Sequence, residues 1–256
     1  TSSTLFIIRP PEDTSIAIGL AKNSSMKEEI NSILSTISLE DQEMIMDKTI
    51  EDQLDMGEGI WSIFVDNKEM FARGVANTIL ISFIGTIVGL MIGLLVGVVR
   101  TIPDTKKRLS NFFIKIFKLL MNIYVQVFRA TPMIVQSMLF YYGMQQFYGI
   151  DMAPMTAAFI IVSVNTGAYM AEVVRGGINS IDKGQFEAAQ ALGMNHWQTM
   201  FNIILPQALK NILPATGNEF IVNIKDTSVL NVISVTELFF TTKSIAGANF
   251  KYFETF

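Results

Sequence analysis

From Val75 to Val99 the chain runs through twenty-five residues without a charged side chain. At about 1.5 Å of rise per residue, a helix of that length covers about 37 Å, enough to cross a roughly 30 Å hydrocarbon core with some tilt. Such a segment commits the fold to a bilayer. The overall balance agrees, because half of the residues are hydrophobic and only 16% are charged. Within the run, Gly85, Gly89, Gly93 and Gly97 recur every fourth residue and fall on one stripe. Small residues at that spacing let a second helix approach closely, so the stripe is expected to face a neighbour.

The charges divide along the chain. Residues 1–60 carry twelve acids and four bases, net −8, whereas residues 61–256 carry eleven acids and fifteen bases, net +4. Directly after the uncharged run come Arg100, Lys106, Lys107, Arg108, Lys115 and Lys118 against the single acid Asp104. Basic residues gather on the cytoplasmic side of spanning segments, which puts this end of the first span inside and the acidic N-terminal part outside the cell.

Residues 1–38 read as a soluble piece. Ser15 to Ala21 alternates like a half-buried strand, a turn at Asn23-Ser24-Ser25 follows, and Met26, Ile30, Ile33, Leu34 and Ile37 then recur at helical spacing. Residues 39–70 read as an acidic linker. The opening TSSTLF has no methionine, basic region or apolar signal core and reads as a cut end, and the closing NFKYFETF reads as a second one.

Past the first span, Asn111, Lys115, Lys118, Asn122 and Gln126 share one helical face, which predicts a helix lying at the inner interface over residues 110–128. Thr131-Pro132 marks a break at the start of the next helix. Residues 132–148 are expected to cross outward to an aromatic cluster, and residues 153–171 to cross back and continue through Glu172 and Arg175. Residues 199–224 should cross outward again. Pro206, Lys210, Pro214 and Glu219 make them a poor span, one that survives only under cover of neighbouring protein. Residues 225–250 return to the outer side, with Asp226 in Lys225-Asp226-Thr227-Ser228 expected to cap a helix.

Between the last two inward and outward crossings lies QFEAAQALGMNHWQTMFNIILPQA, residues 185–208. A short helix there can set Ala188, Ala189 and Leu192 on one side and end at Gly193. The pattern E-A-A-x3-G-x9-I-x-L-P resembles the cytoplasmic signature loop of importer-type ABC transporter permeases. Its neighbours extend the resemblance to the polar-amino-acid subgroup (histidine, glutamine, glutamate, arginine and opine importers). These are Phe128-Arg129-Ala130-Thr131-Pro132, the run from Asn165 to Gly176, Asn218-Glu219-Phe220 and Lys225-Asp226-Thr227-Ser228. The resemblance covers about residues 70–256. Alanine stands at position 130 where the family usually has glycine.

That resemblance implies an all-α membrane fold of the type I ABC importer, a permease transmembrane domain over residues 71–256. About four spans are expected here and a fifth beyond the end, after an α/β remnant of a substrate-binding domain. It implies that Gly184, Glu187, Ala188, Ala189, Leu192, Gly193 and Met194 form a coupling helix docking on an ATPase subunit. Two ATPase copies, which bind ATP and magnesium, and a second permease, as a homodimer, are the implied partners in a bacterial cell membrane. The implied cargo is an amino acid.

For the pathway, Thr131, Asn165, Tyr169, Glu172, Asn218 and Glu219 are the candidates. Glu172 and Arg175 lie one turn apart and either satisfy each other or, with Asn165 and Tyr169 on the same face, line a polar pocket suited to an amino group. Thr131 would offer free amides of a helix start to a carboxylate. His196, the single histidine, sits beside Trp197 and reads as an interface contact.

The sequence also excludes chemistry. It has no cysteine and no G-x-x-x-x-G-K-[ST] loop, so neither thiolate catalysis nor nucleotide binding by such a loop is available to this chain. One histidine supports no nucleophile–base arrangement and no cluster has metal-ligand spacing. The basic residues form a membrane-surface band and do not suggest nucleic acid. An ion-driven transporter would call for internal repeats, and none is found. A ligand-sensing receptor would call for a cytoplasmic output domain, and the inner loops are too short for one.

Overall fold

The computed structural model describes Ser38, Asp41, Met44, residues 60–103 and residues 108–256. The expected binding-domain remnant and most of the expected linker lie outside the described residues. Among those described, the chain is all helical. In order come α1 (Ile60–Asp66), α2 (Lys68–Thr101), α3 (Arg108–Ala130), α4 (Met133–Tyr148), α5 (Pro154–Asn179), α6 (Lys183–Ala191) and α7 (His196–Thr199). A π-helical turn (Met200–Ile204) leads into α8 (Leu205–Asp226), and a 3₁₀ turn (Thr227–Ile233) into α9 (Leu238–Asn249) and α10 (Tyr252–Thr255). Helices α2, α3 and α5 are each long and apolar enough to cross a membrane, and the helical run His196–Ile233 with α9, bent by 56°, makes a fourth crossing if counted as one.

The glycine stripe of α2 meets α5 along its length. A Cβ at Gly89 would lie 2.6 Å from Thr166 and one at Gly97 2.6 Å from Val174, while Gly85 and Gly93 face Val162 and Met170 just as closely. Both helices therefore present residues four apart, and α5 fills with Val162, Thr166, Met170 and Val174 the room that α2 leaves open. The contact leaves no space for a methyl group, and van der Waals packing rather than water exclusion holds such helices in lipid.

A buried polar knot ties a third helix to this pair. The Asn223 amide on α8 donates to Thr86 Oγ1 of α2 at 2.9 Å, and Thr166 of α5 donates to Asn223 Oδ1 at 3.1 Å. Thr86 itself donates to the Ser82 carbonyl at 2.7 Å, so each partner is satisfied within the helices. An interhelical bond of this kind contributes about 1 kcal/mol. Ile212, Thr216 and Asn223 face the same way, and they give α8 the protein cover that its prolines demand. Pro206 explains the π-helical turn before it. It has no N–H to give and its ring would press on the Asn202 carbonyl, and the turn widens so that Leu205 N–H reaches back to Met200 O.

Several sequence expectations change in the folded chain. Helix α3 does not lie flat along one end of the bundle. The Tyr124 hydroxyl donates to the Val164 carbonyl at 2.6 Å, and Asn165 Nδ2 reaches the Phe128 carbonyl at 3.4 Å, so α3 rises to the middle of α5. Helix α4 continues from there and is itself too short to cross, at sixteen residues. The polar stripe misled because Asn122, one of its members, accepts a bond from Arg100 instead of facing water.

Asp226 ends α8 and stands in front of the 3₁₀ turn, but its side chain makes no cap hydrogen bond there. The cap is Glu237, buried at the start of α9, whose two oxygens accept from Phe239 N–H at 2.8 Å and Phe240 N–H at 2.6 Å. Nothing in its own spacing marked it; the return of α9 onto the start of α2, where Leu238 N–H donates to Thr78 Oγ1, buries it.

Candidate functional site: a loop helix and a polar seam

Helix α6 is built as its sequence suggested, with one side chain turned the other way. Asp182 opens it by accepting from Gly184 N–H at 2.7 Å. Gly193 closes it at φ +78°, a left-handed conformation that lets Met194 N–H return to Ala189 O at 3.0 Å. Asn195 and Gln198 then cap α7 reciprocally, each side chain accepting from the other's backbone N–H at 2.9 Å. The loop is thus rigid on both sides of Gly193.

Ala188, Ala189 and Leu192 do not share one free side. Ala189 is 3% exposed, buried with Phe186 turned the same way against the chain's own core, whereas Leu192 is 83% exposed. One residue is about 100° of helix, so Ala188 and Ala189 necessarily diverge. The open face consists of Gly184, Glu187, Ala188, Ala191 and Leu192, and Met194 is half-buried beside it. His196 stands edge-on to Trp197 at 5.4 Å, and its Nε2 is buried without a hydrogen-bond partner among the described residues.

The candidate pathway residues fall into three groups. At the α3–α4 break, Gln136 Nε2 donates to Thr131 O and to Thr131 Oγ1, both at 2.8 Å, and its Oε1 accepts from Asn165 at 2.9 Å. Thr131 does not open α4. Its N–H and its hydroxyl both go to the Val127 carbonyl, so its own amide is already occupied. A cavity of about 450 Å³ borders this break, walled by Val127, Val135, Leu139 and Val164, with Thr131 and Gln136 as its polar groups.

Towards the α6 end, Glu172 binds two arginines. Its Oε1 accepts from Arg100 Nη1 at 2.6 Å and its Oε2 from Arg175 at 2.9 and 2.8 Å. Arg100 Nε also holds Asn122 at 2.6 Å, so one carboxylate joins α2, α3 and α5. Arg100 entered the sequence reading only as a topology marker, and Asn122 only as part of a stripe. Their meeting is a tertiary fact.

Third, Tyr169 lies half-open beneath the Arg129 guanidinium, 5.6 Å from its ring centre. Asn218 is exposed on α8 and Glu219 is half-buried beside it. The structure therefore brings Thr131 and Asn165 together through Gln136, sets Tyr169 under Arg129, and leaves Asn218 and Glu219 on a separate helix.

Such a membrane bundle, with an exposed short helix between two crossings, has matching relatives. Residues 109–252 match the family described as the binding-protein-dependent transport system inner membrane component. The chain belongs to that family. It is 44% identical over 139 residues to a probable amino-acid permease protein of Bacillus subtilis (strain 168), covering 54% of this chain and 62% of the relative. It is 42% identical over 133 residues to the glutamine transport system permease protein of Escherichia coli (strain K12), covering 52% and 61%. The chain thus spans about three-fifths of the length of these curated relatives.

A solved structure of an amino acid ABC transporter with histidines superposes with a TM-score of 0.67 at 36% identity, over 78% of this chain and 88% of that one. An inward-facing methionine ABC transporter gives 0.62 at 20% identity, over 74% and 86%, which is a likeness of fold. The helical architecture is accordingly that of a type I ABC importer permease.

Proposed function

We propose that this chain is the membrane-spanning permease subunit of an ATP-driven importer for a polar or charged amino acid. Family membership and the amino-acid relatives support the transport role. The observation that carries the ATP coupling is α6, a stiffly capped helix at the loop end whose outer face, led by Leu192, is left uncovered by its own chain. An ATPase subunit would take that face in a groove, with Glu187 free to meet a basic or amide donor. Two ATPase copies, holding ATP and magnesium, and a second permease, as a homodimer, complete the complex. The α6 loop lies on the cytoplasmic side, the N-terminal side outside. Residues 1–38 are the end of a binding domain that delivers the amino acid, and residues 39–70 its tether.

Mechanistically, closing of the ATPases moves α6. The Gly193 closure and the α7 capping box pass that movement through the π-helical turn into α8, which is tied to α2 and α5 by Asn223. Coupling of this kind is a shift between two conformations, each favoured by one set of partners.

The test is ATP hydrolysis by the full-length complex in lipid, with and without L-glutamine or L-arginine, comparing wild type with Glu187→Arg plus Leu192→Asp. Both positions are exposed, so the variant should keep its fold within about 0.5 kcal/mol. Amino-acid-stimulated hydrolysis is expected in wild type and absent from the variant. Uptake that persists without ATP, with no ATPase co-purifying, would overturn the reading in favour of an ion-driven carrier.

A further inference from the structure

At the basic end of α2 the helices do not close on one another. A groove of about 440 Å³ lies there, walled by Val99 and Ile102 from α2, Phe113, Ile116 and Phe117 from α3, and Trp197 from α7. Its walls carry no charge. Phe113, Ile116, Phe117 and Trp197 are all exposed, so the groove opens outward and no described residue covers it. The far wall is held in place. Trp197 stacks on Phe201 with ring centres 6.0 Å apart, and the capping box of Asn195 and Gln198 fixes the helix that carries it.

Depth and charge say what fits. The spanning helix α2 ends at Thr101, so Val99 and Ile102 stand where hydrocarbon gives way to headgroups, the level that tryptophan favours. Lys115 and Lys118 lie one turn apart on α3, beside the wall residues Ile116 and Phe117. Lys115 is exposed, and Lys118 is half-buried and close enough to His196, the neighbour of Trp197, for its charge to act there. Between Glu69 and Asp151 the sequence has one acid, Asp104, and from Ala188 to Asn218 it has none. An occupant must therefore be apolar along its length and negative at one end. A soluble anion has nothing to lay against the aromatic walls, and a zwitterionic lipid brings its own cation to the basic edge.

We propose that the groove binds one acyl chain of an anionic phospholipid, with the phosphate at the Lys115–Lys118 edge. Basic pockets between spanning helices take such headgroups, and packing against the chain braces α7, and with it the α6 loop, against α2 and α3. The proposal needs only the membrane fold and is independent of the cargo and of ATP coupling.

The experiment places the full-length complex in phosphatidylcholine vesicles containing phosphatidylglycerol with a diazirine midway along one chain. After illumination, labelled positions are found by peptide mass spectrometry. Label should appear at Phe113, Phe117 or Trp197 and half-saturate at a mole fraction at least about fivefold below that of the same diazirine on phosphatidylcholine. Lys118→Gln should raise that fraction about fivefold, and Lys115→Gln with Lys118→Gln should abolish the difference between the two probes. Lys243→Gln, on α9 against the start of α2, should change nothing. Phe113→Ala with Phe117→Ala should lower labelling at Trp197 by both probes. Labelling of α2 around Phe83, which is 56% exposed, should stay constant and show that each variant still sits in the bilayer. Equal half-saturation by the two probes in wild type would overturn the proposal, and so would displacement of the label by inorganic phosphate. Labelling that appears only after the ATPase is removed would also overturn it, because the groove would then belong to that subunit.

Discussion

The two sides of α5 are built on opposite terms. Towards α2 it meets a glycine at every fourth position and closes without room for a methyl group. Towards α3 and α4 it carries Asn165, Tyr169 and Glu172 and borders a cavity of about 450 Å³. One side is dry and admits a single arrangement. The other is polar and unfinished. The contrast suggests that α2 and α5 travel as one body and that any change of conformation, like any cargo, belongs to the open side.

The sharpest way to break that comparison is to fill the closed side. Gly93→Val places methyl groups where Met170 and the Ala171 nitrogen already lie, the latter 2.9 Å from a Cβ, so backbone has to move. We expect a loss of about 3 kcal/mol or more, or failure to assemble, read as a thermal melt of the solubilised complex. Gly176→Ala, on α5 with nothing within 4 Å of its Cβ position, should change the melt by no more than about 0.5 kcal/mol. Equal effects at the two glycines would mean that the seam is not close-packed.

A smaller effect is expected where the two sides meet, at Glu172. Glu172→Gln leaves two guanidinium groups facing each other across an amide and should cost about 1.5–3 kcal/mol, measured in the same melt. Restoration by the double variant Arg100→Gln with Glu172→Gln would confirm that the charge, and not the packing, was lost. A single variant as stable as wild type would reduce the arginine cluster to a surface ion pair.

The closed side was legible in the sequence, and the open side was not. Four glycines at a fixed spacing declare a close approach whatever the partner, but Val162, Thr166, Met170 and Val174 look like ordinary span residues until α5 lies against them. Arg100 and Asn122 carried a topological and a periodic signal, each correct in kind, that concealed their meeting at Glu172. The loop motif gave the helix, its Asp182 start and its Gly193 stop, because caps are local. It could not show that Ala189 faces inward, which the core beneath α6 decides. Asp226 and Glu237 make the same point: a cap was expected at the wrong acid because the fold of α9 onto α2 is not written locally.

The central claim is that the outer face of α6 is a docking surface, and the absence of cysteine from this chain gives a clean way to test it. Single cysteines at Ala188, Ala189, Leu192 and Leu95 are labelled with a thiol reagent in the permease, with and without its ATPase subunit. The account predicts that Ala188→Cys and Leu192→Cys react readily alone and at least about tenfold more slowly with the ATPase bound. Ala189→Cys should stay slow in both states, and Leu95→Cys, exposed far along α2, should not change. Equal labelling at Leu192→Cys with and without a bound ATPase would contradict the account.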